Sequence, residues 1–262
     1  MNDIVFAVLL VSGIGLLCGI GLAIAGIYMN VQTNEKAEEI LKVLPGANCG
    51  ACSFSGCKGY AEALASGKVK TNLCTVGGDK VAAEISAILG TKPTVSEKKI
   101  AYVLCRGSTE HTSKDYSYQG IKTCKSVSAM FGGDGECKFG CIGLGDCVKV
   151  CNYNAISVKN GVAVVKKSRC VACGLCVNSC PKRIISLITE DEKALVLCKN
   201  TDKGAITRKI CTAGCIGCKL CAKVCEYEAV SFDGGLAVID RSKCTGCGKC
   251  EEVCRLHCIV LD

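Results

Sequence analysis

Ile4 to Met29 is almost wholly apolar, and no charged residue occurs between Ile4 and Asn34. That run is long enough to cross a bilayer as a helix. Glu35 to Leu44 changes to helical periodicity, with Ala37, Ile40, Leu41 and Leu44 on one face, and stops at Pro45-Gly46. Tyr60 to Ala65 and the Ala-rich Val81 to Leu89 predict further short helices. Thr91 to Lys99, with Pro93 and three lysines, reads as a linker. Further on, short strand patterns replace the helical ones. Ile156–Lys159 and Val162–Val165 flank Asn160-Gly161, a strong hairpin signal because both turn positions tolerate positive φ. Val230–Asp233 and Leu236–Ile239 flank Gly234-Gly235 in the same way.

The two hairpins belong to a repeat of 74 residues. Without a gap, Cys124, Cys137, Cys141, Cys147, Cys151, Cys170, Cys173, Cys176 and Cys180 fall on Cys198, Cys211, Cys215, Cys221, Cys225, Cys244, Cys247, Cys250 and Cys254. Between 141–180 and 215–254, 19 of 40 positions are identical, which predicts a duplicated domain.

The cysteine spacing carries the chemistry. Residues 170–181 read C-V-A-C-G-L-C-V-N-S-C-P, the bacterial ferredoxin run in which three thiolates grip one [4Fe–4S] cube and the fourth reaches a neighbouring cube. That crossover groups Cys170, Cys173, Cys176 and Cys151. In the second copy it groups Cys215, Cys218, Cys221 and Cys254, and then Cys244, Cys247, Cys250 and Cys225. Short helical turns are expected at Val171 to Ser179 and Thr245 to Val253. The remaining site departs from the pattern, because Leu144 stands where the second copy has Cys218. Cys137 is expected to complete Cys141, Cys147 and Cys180, with a three-iron cluster as the rival. Upstream, Cys49, Cys52, Cys57 and Cys74 suit one closed cube, although spacing alone leaves a zinc ribbon open. Cys105, Cys124, Cys198 and Cys211 then remain, either as a sixth ligand set or as buried thiols. Cys258 aligns with Ile184 and reads as an apolar substitute, as does Cys18 within the span.

Composition narrows the classes. The 26 cysteines face only two histidines, His111 and His257, and tight C-x₂-C runs converge on metal rather than form a disulfide scaffold, so the chain is expected to live reduced. With no tryptophan and few aromatics, its cores are expected to lean on the clusters. The formal charge of +8 counts thiols as neutral. Each oxidised cube with four thiolates carries about −2, so five cubes bring the total to about −2 and six to about −4. Nucleic-acid binding gains nothing from that balance. No G-x-G-x-x-G lies between a strand and a helix, and no C-x-x-C-H occurs. The two histidines read as surface or packing residues, so no bond-making catalytic residue is expected. The Met1-Asn2-Asp3 flank lacks the basic region of a secretory signal. Lys36, Lys42 and Lys58 after the span, against Asp3 before it, place the cysteine-rich bulk in the cytoplasm.

An N-terminal span, then L-P-G-A-N-C-G-A-C-S-F-S-G-C at 44–57, then two ferredoxin modules together resemble the B subunit of the Rnf complex, the ion-translocating ferredoxin:NAD⁺ oxidoreductase, in the cluster-rich form of anaerobic bacteria. The fold class expected is α+β: one transmembrane helix (1–30), a helical [4Fe–4S] domain (31–90), a linker or extension with Cys105 (91–123), and two tandem ferredoxin-like domains of two cubes each (124–197 and 198–262). The resemblance implies an electron-transfer subunit of a cation-pumping translocase in the cell membrane, holding at least five and up to six [4Fe–4S] clusters. Its implied partners are soluble ferredoxin as donor and other membrane and flavin subunits, with no nucleic acid. The alternative is an anchored ferredoxin-like subunit of a dehydrogenase or hydrogenase; the 44–57 motif and the N-terminal place of the span favour the first.

Overall fold

The structure, a computed structural model, describes residues 2–28, 34–92 and 98–261. Met29, at the end of the predicted span, and most of the predicted 91–99 linker lie outside the described residues. Helix α1 (Asn2–Tyr28) contains the apolar run Ile4–Ala25, and none of that run is buried against the rest of the chain. It is long and apolar enough to cross a membrane.

Helices α2 (Glu35–Val43), α3 (Cys57–Ala65) and α4 (Gly78–Leu89) form a small domain. Asn34 caps α2 by accepting the Lys36 N–H at 3.2 Å, and α4 ends at Gly90 in the left-handed conformation. Ile40, Leu44, Tyr60, Leu64 and Ile85 meet in its core. The Tyr60 hydroxyl donates to the Lys70 carbonyl (2.8 Å) and accepts the Leu73 N–H (3.2 Å). This fixes the returning segment beside the start of α3, so that Cys74 comes back to Cys57.

Next come β1 (Lys99–Val103), α5 (Cys124–Ser128), α6 (Asp146–Lys149), β2 (Ile156–Lys159), β3 (Val162–Val165), α7 (Leu175–Ser179) and β4 (Ile185–Thr189). The second module contains β5 (Ala194–Val196), α8 (Gly204–Ile210), α9 (Leu220–Lys223), β6 (Val230–Asp233), β7 (Leu236–Ile239), α10 (Lys249–Glu252) and β8 (Ile259–Leu261). All pairings among the described strands are antiparallel: β1 with β4, β2 with β3, β5 with β8 and β6 with β7. The two expected hairpins form in the expected register, Ile156 opposite Val165 and Val230 opposite Ile239. Asn160 and Gly161 both take positive φ at the first turn.

Three expectations change. The helical turns after Cys170 and Cys244 are shorter than predicted. Ala172 and Gly174 (φ +54 and +76), and Gly246 and Gly248 (φ +76 and +80), are left-handed. The chain must wrap before it can coil, so α7 and α10 begin only beyond those residues. Lys99 starts a strand rather than ending a linker; Ile100 and Ala101 are buried where β1 pairs with β4, so the first module reaches back beyond residue 124. Third, Cys198 is matched in space by Cys105, not by Cys124. Leu104 donates to the Ile184 carbonyl and Leu197 to the Cys258 carbonyl, both at 2.7 Å. The Cys141 and Cys215 N–H groups donate to Cys105 and Cys198 Sγ at 3.4 and 3.3 Å. Cys105 precedes Cys137 by 32 positions and Cys198 precedes Cys211 by 13. The first copy therefore carries 19 extra residues, and Cys124 lies within them.

Candidate iron–sulfur sites

None of the 26 cysteines is in a disulfide, and all but Cys18 and Cys258 fall into six candidate neighbourhoods of four. Site 1 is Cys49, Cys52, Cys57 and Cys74. Burial raises the Cys74 thiol pKa, and the charges of Cys57, Cys49 and Cys52 raise it further. Gly77 donates its N–H to Cys74 Sγ at 3.4 Å. Site 2 is Cys151, Cys170, Cys173 and Cys176. Burial first, and then Cys170, Cys173 and Cys151, push Cys176 up to about 11.

Site 3 is the one that the repeat leaves a ligand short, and α5 fills it. Thr123 caps α5 by accepting the Ser126 N–H at 3.1 Å, and Lys125 N–H donates to Asp146 Oδ2 at 3.1 Å. Cys124 is thereby held beside α6, where it lines one cavity with Cys141, Cys147 and Cys180. Burial pushes Cys147 up to about 12, assisted by Cys141, Cys124 and Cys180. The cysteine that the fold brings to this cavity is thus Cys124, where the repeat predicted Cys137. The inserted residues that carry it have no counterpart in the second copy, so the repeat gave no sign of it.

Cys137 belongs instead to site 4, with Cys105, Cys198 and Cys211. These four line one cavity together with Cys141 and the apolar Leu104, Leu197 and Phe139. Each module contributes the same two positions, so the site lies on the local pseudo-symmetry between them. The loops around it are tied across the module boundary. Arg106 Nη1 donates to the His257 carbonyl at 2.5 Å, His111 Nδ1 lies 2.8 Å from Thr212 Oγ1, and Thr112 Oγ1 donates to the Ile210 carbonyl at 2.7 Å. His111 thus meets this boundary with its side chain, whereas His257 is exposed and contributes its backbone carbonyl. Asn200, 2% exposed, donates its backbone N–H to Cys198 Sγ at 3.5 Å and points Nδ2 at Cys137 Sγ at 3.7 Å. Burial pushes Cys105 up to about 12, against the Cys141 and Gly107 N–H groups that stabilise its thiolate.

Site 5 is Cys215, Cys218, Cys221 and Cys254, which share a cavity with Cys258. Burial raises Cys221 to about 11. Cys215 and Cys254 are lowered, to about 6 and about 5, first by hydrogen bonds from the Cys258 thiol. Site 6 is Cys225, Cys244, Cys247 and Cys250, around a further cavity. Sites 2 and 6 are matched in detail: Ala155 donates to Cys151 Sγ at 3.3 Å and Ala229 to Cys225 Sγ at 3.4 Å.

Two glycines allow the loops at sites 3 and 5 to close. Gly143 and Gly217 are left-handed (φ +81 and +63), and a Cβ on either would lie 2.4 Å from a hairpin carbonyl oxygen, that of Gly161 or Gly235. Only glycine fits there.

The donor chemistry fits [4Fe–4S] clusters. Burial raises the thiols of Cys74, Cys105, Cys147, Cys176 and Cys221, which favours their protonated form until a cationic iron core binds as the protons leave. Inward N–H groups supply the hydrogen bonds that cluster thiolates accept.

Contacts link the six sites pairwise, in the order 1 to 6. The Thr75 hydroxyl in the site 1 domain donates to the Ala172 carbonyl, within the Cys170–Cys173 loop, at 3.2 Å. Tyr153 lies within the field of Cys173, Cys49, Cys74 and Cys151 together. Cys147 at site 3 feels Cys176 at site 2. Sites 3 and 4 are joined by the Cys141 N–H to Cys105, and sites 4 and 5 by the Cys215 N–H to Cys198. Cys221 on α9 and Cys225 just beyond it serve sites 5 and 6.

Family models match three parts of the chain. One described as "Putative Fe-S cluster" matches residues 44–76, and the 4Fe-4S dicluster domain matches twice, at 140–184 and 214–258. The chain is 38% identical over 238 residues to the B subunit of the ion-translocating oxidoreductase complex of Methanosarcina acetivorans, covering 90% of each protein. It is 36% identical over 260 residues to the B subunit of the Na(+)-translocating ferredoxin:NAD(+) oxidoreductase complex of Acetobacterium woodii, covering 99% of this chain and 78% of that one. To the B subunit of the proton-translocating ferredoxin:NAD(+) oxidoreductase complex of Clostridium ljungdahlii it is 35% identical over 244 residues, covering 92% and 86%.

Proposed function

The chain belongs to the family of B subunits of ion-translocating oxidoreductase complexes, and we propose that it serves there as the electron-transfer subunit. On this reading it accepts electrons from reduced soluble ferredoxin and relays them toward membrane iron–sulfur and flavin subunits and NAD⁺. It is a translocase subunit without a bond-making active site of its own. When bound at the six sites, [4Fe–4S] clusters supply one-electron outer-sphere transfer.

The observation that carries the reading is this contact-linked file of cysteine sets. Site 4 bridges the two modules through the N–H groups of Cys141 and Cys215; without it the file would break at the module boundary. The protein's own contribution is to hold each set, to exclude water by burial, and to direct N–H groups at thiolate sulfur. Asn200 makes site 4 unequal, since its side-chain amide faces Cys137 while glycine, Gly107, stands two residues after Cys105.

Helix α1 anchors the chain on this reading, with the cysteine-rich domains on the cytoplasmic side, as the lysines after the span favour. The run Ile4–Ala25 has no ionisable side chain other than the thiol of Cys18, so the pumped cation passes through other subunits. The test is a Cys176→Ser substitution in the assembled complex. It is expected to abolish ferredoxin-dependent NAD⁺ reduction while the chain stays with the membrane fraction; an unchanged rate contradicts the proposal.

A further inference from the structure

Cys258 sits in the apolar core of its module, as its alignment with Ile184 predicts, and it also reaches a ligand sulfur. It is 3% exposed, and its Sγ lies 3.5 Å from Cys254 Sγ. The Cys215 thiol lines the same cavity. Both neighbours belong to site 5. Its backbone is fixed where the first module fixes Ile184, since each carbonyl accepts a leucine N–H at 2.7 Å, from Leu197 and Leu104 respectively. The two modules therefore present the same backbone position to equivalent sites and differ in the side chain: a thiol at site 5 and a hydrocarbon at site 3.

Under the crossover rule, a cube at site 5 takes its four thiolates from Cys215, Cys218, Cys221 and Cys254. Cys258 is a fifth sulfur at a site for four. It lies within hydrogen-bonding reach of a ligand sulfur and, being buried, has no water to compete for its proton. Hydrogen bonds to cluster sulfur draw charge from the ligands and raise the reduction potential.

We propose that Cys258 is a positioning residue that tunes site 5: its S–H donates to Cys254, with Cys215 as the alternative acceptor, and lifts the potential there above that of the equivalent site 3. This rests on the reading that site 5 holds a cluster. The residue beside the ligands, Cys258 in one copy and Ile184 in the other, thus gives two copies of one module different potentials.

The experiment uses the full chain purified anaerobically, with iron and sulfide counts and redox titration followed by electron paramagnetic resonance. Cys258→Ile, which installs the first module's residue, is expected to keep the wild-type iron and to move one component to lower potential. The expected shift is tenfold or more in its reduction equilibrium, about 59 mV for one electron. Cys258→Ser keeps a donor and is expected to stay close to wild type. An Ile variant in which no component moves overturns the proposal. So does an Ile variant that loses about four iron, because Cys258 is then a ligand. Should the Ile variant fail to fold, the reciprocal Ile184→Cys is expected to raise one component, and its failure to do so overturns the proposal as well. Equal iron in wild type and Cys221→Ala would instead overturn the cluster reading on which the proposal rests.

Discussion

Replacing Cys124 with Ala tests the assignment that differs most from the repeat. Cys124 lies in the inserted residues and lines the site 3 cavity with Cys141, Cys147 and Cys180; Cys137 lies among Cys105, Cys198 and Cys211. A cube that loses one of four ligands either sheds one iron, leaving a three-iron remnant, or is lost whole. Iron should therefore fall from about 24 per chain by about one or by about four. Cys137→Ala should lower iron in the same way, so the count alone does not separate the two, but rescue does. Leu144 precedes Gly145, which is left-handed (φ +77) at the start of α6, just as Cys218 precedes the left-handed Lys219 (φ +64) at the start of α9. A thiol at 144 should therefore enter site 3 as Cys218 enters site 5. Adding Leu144→Cys should restore full iron and sulfide to Cys124→Ala and leave Cys137→Ala deficient, read by iron and acid-labile sulfide assay on anaerobic protein. Rescue of Cys137→Ala instead, or full iron in Cys124→Ala alone, would refute the assignment.

Gly217→Ala should destabilise the second module, because the new Cβ meets the Gly235 carbonyl oxygen at 2.4 Å and φ is +63. Strain of about 1–3 kcal/mol should appear as a lower midpoint for thermal loss of cluster absorbance. An unchanged midpoint would show that the hairpin yields freely. Deleting residues 2–28 should release the chain from membranes with its iron content unchanged, since the described part of that helix buries nothing against the cysteine domains. Loss of iron on truncation would contradict that independence.

Contacts local in sequence were legible from residues alone. The C-x₂-C runs, the Asn160-Gly161 and Gly234-Gly235 hairpins, and the helices bearing Ile40, Leu64 and Ile85 all satisfy their geometry within a few residues. The 74-residue offset holds from Cys137 onward. Farther back it misleads, because the inserted residues place Cys124 at the spacing where the repeat wants a partner for Cys198, while the true counterpart, Cys105, stands 93 positions before Cys198. Site 4 depends on docking one module against the other, through Arg106, His111 and Thr112, and no local pattern encodes a docking. Strand β1 takes its only strand partner among the described residues from β4, far along the chain, so its signal is one short apolar run beside lysines. Cys258 escapes the sequence for a related reason. Its position is that of a core residue, and only the fold shows that a core position there touches ligand sulfur.

The most direct test of the six-site file is the iron, acid-labile sulfide and zinc content of the full chain purified without oxygen. About 24 iron and 24 sulfide per chain, with little zinc, is the predicted result, four of each from every site. About 20 of each, with Cys105, Cys137, Cys198 and Cys211 open to alkylation, would remove site 4 and break the file at the module boundary. Stoichiometric zinc with little iron would contradict electron transfer altogether.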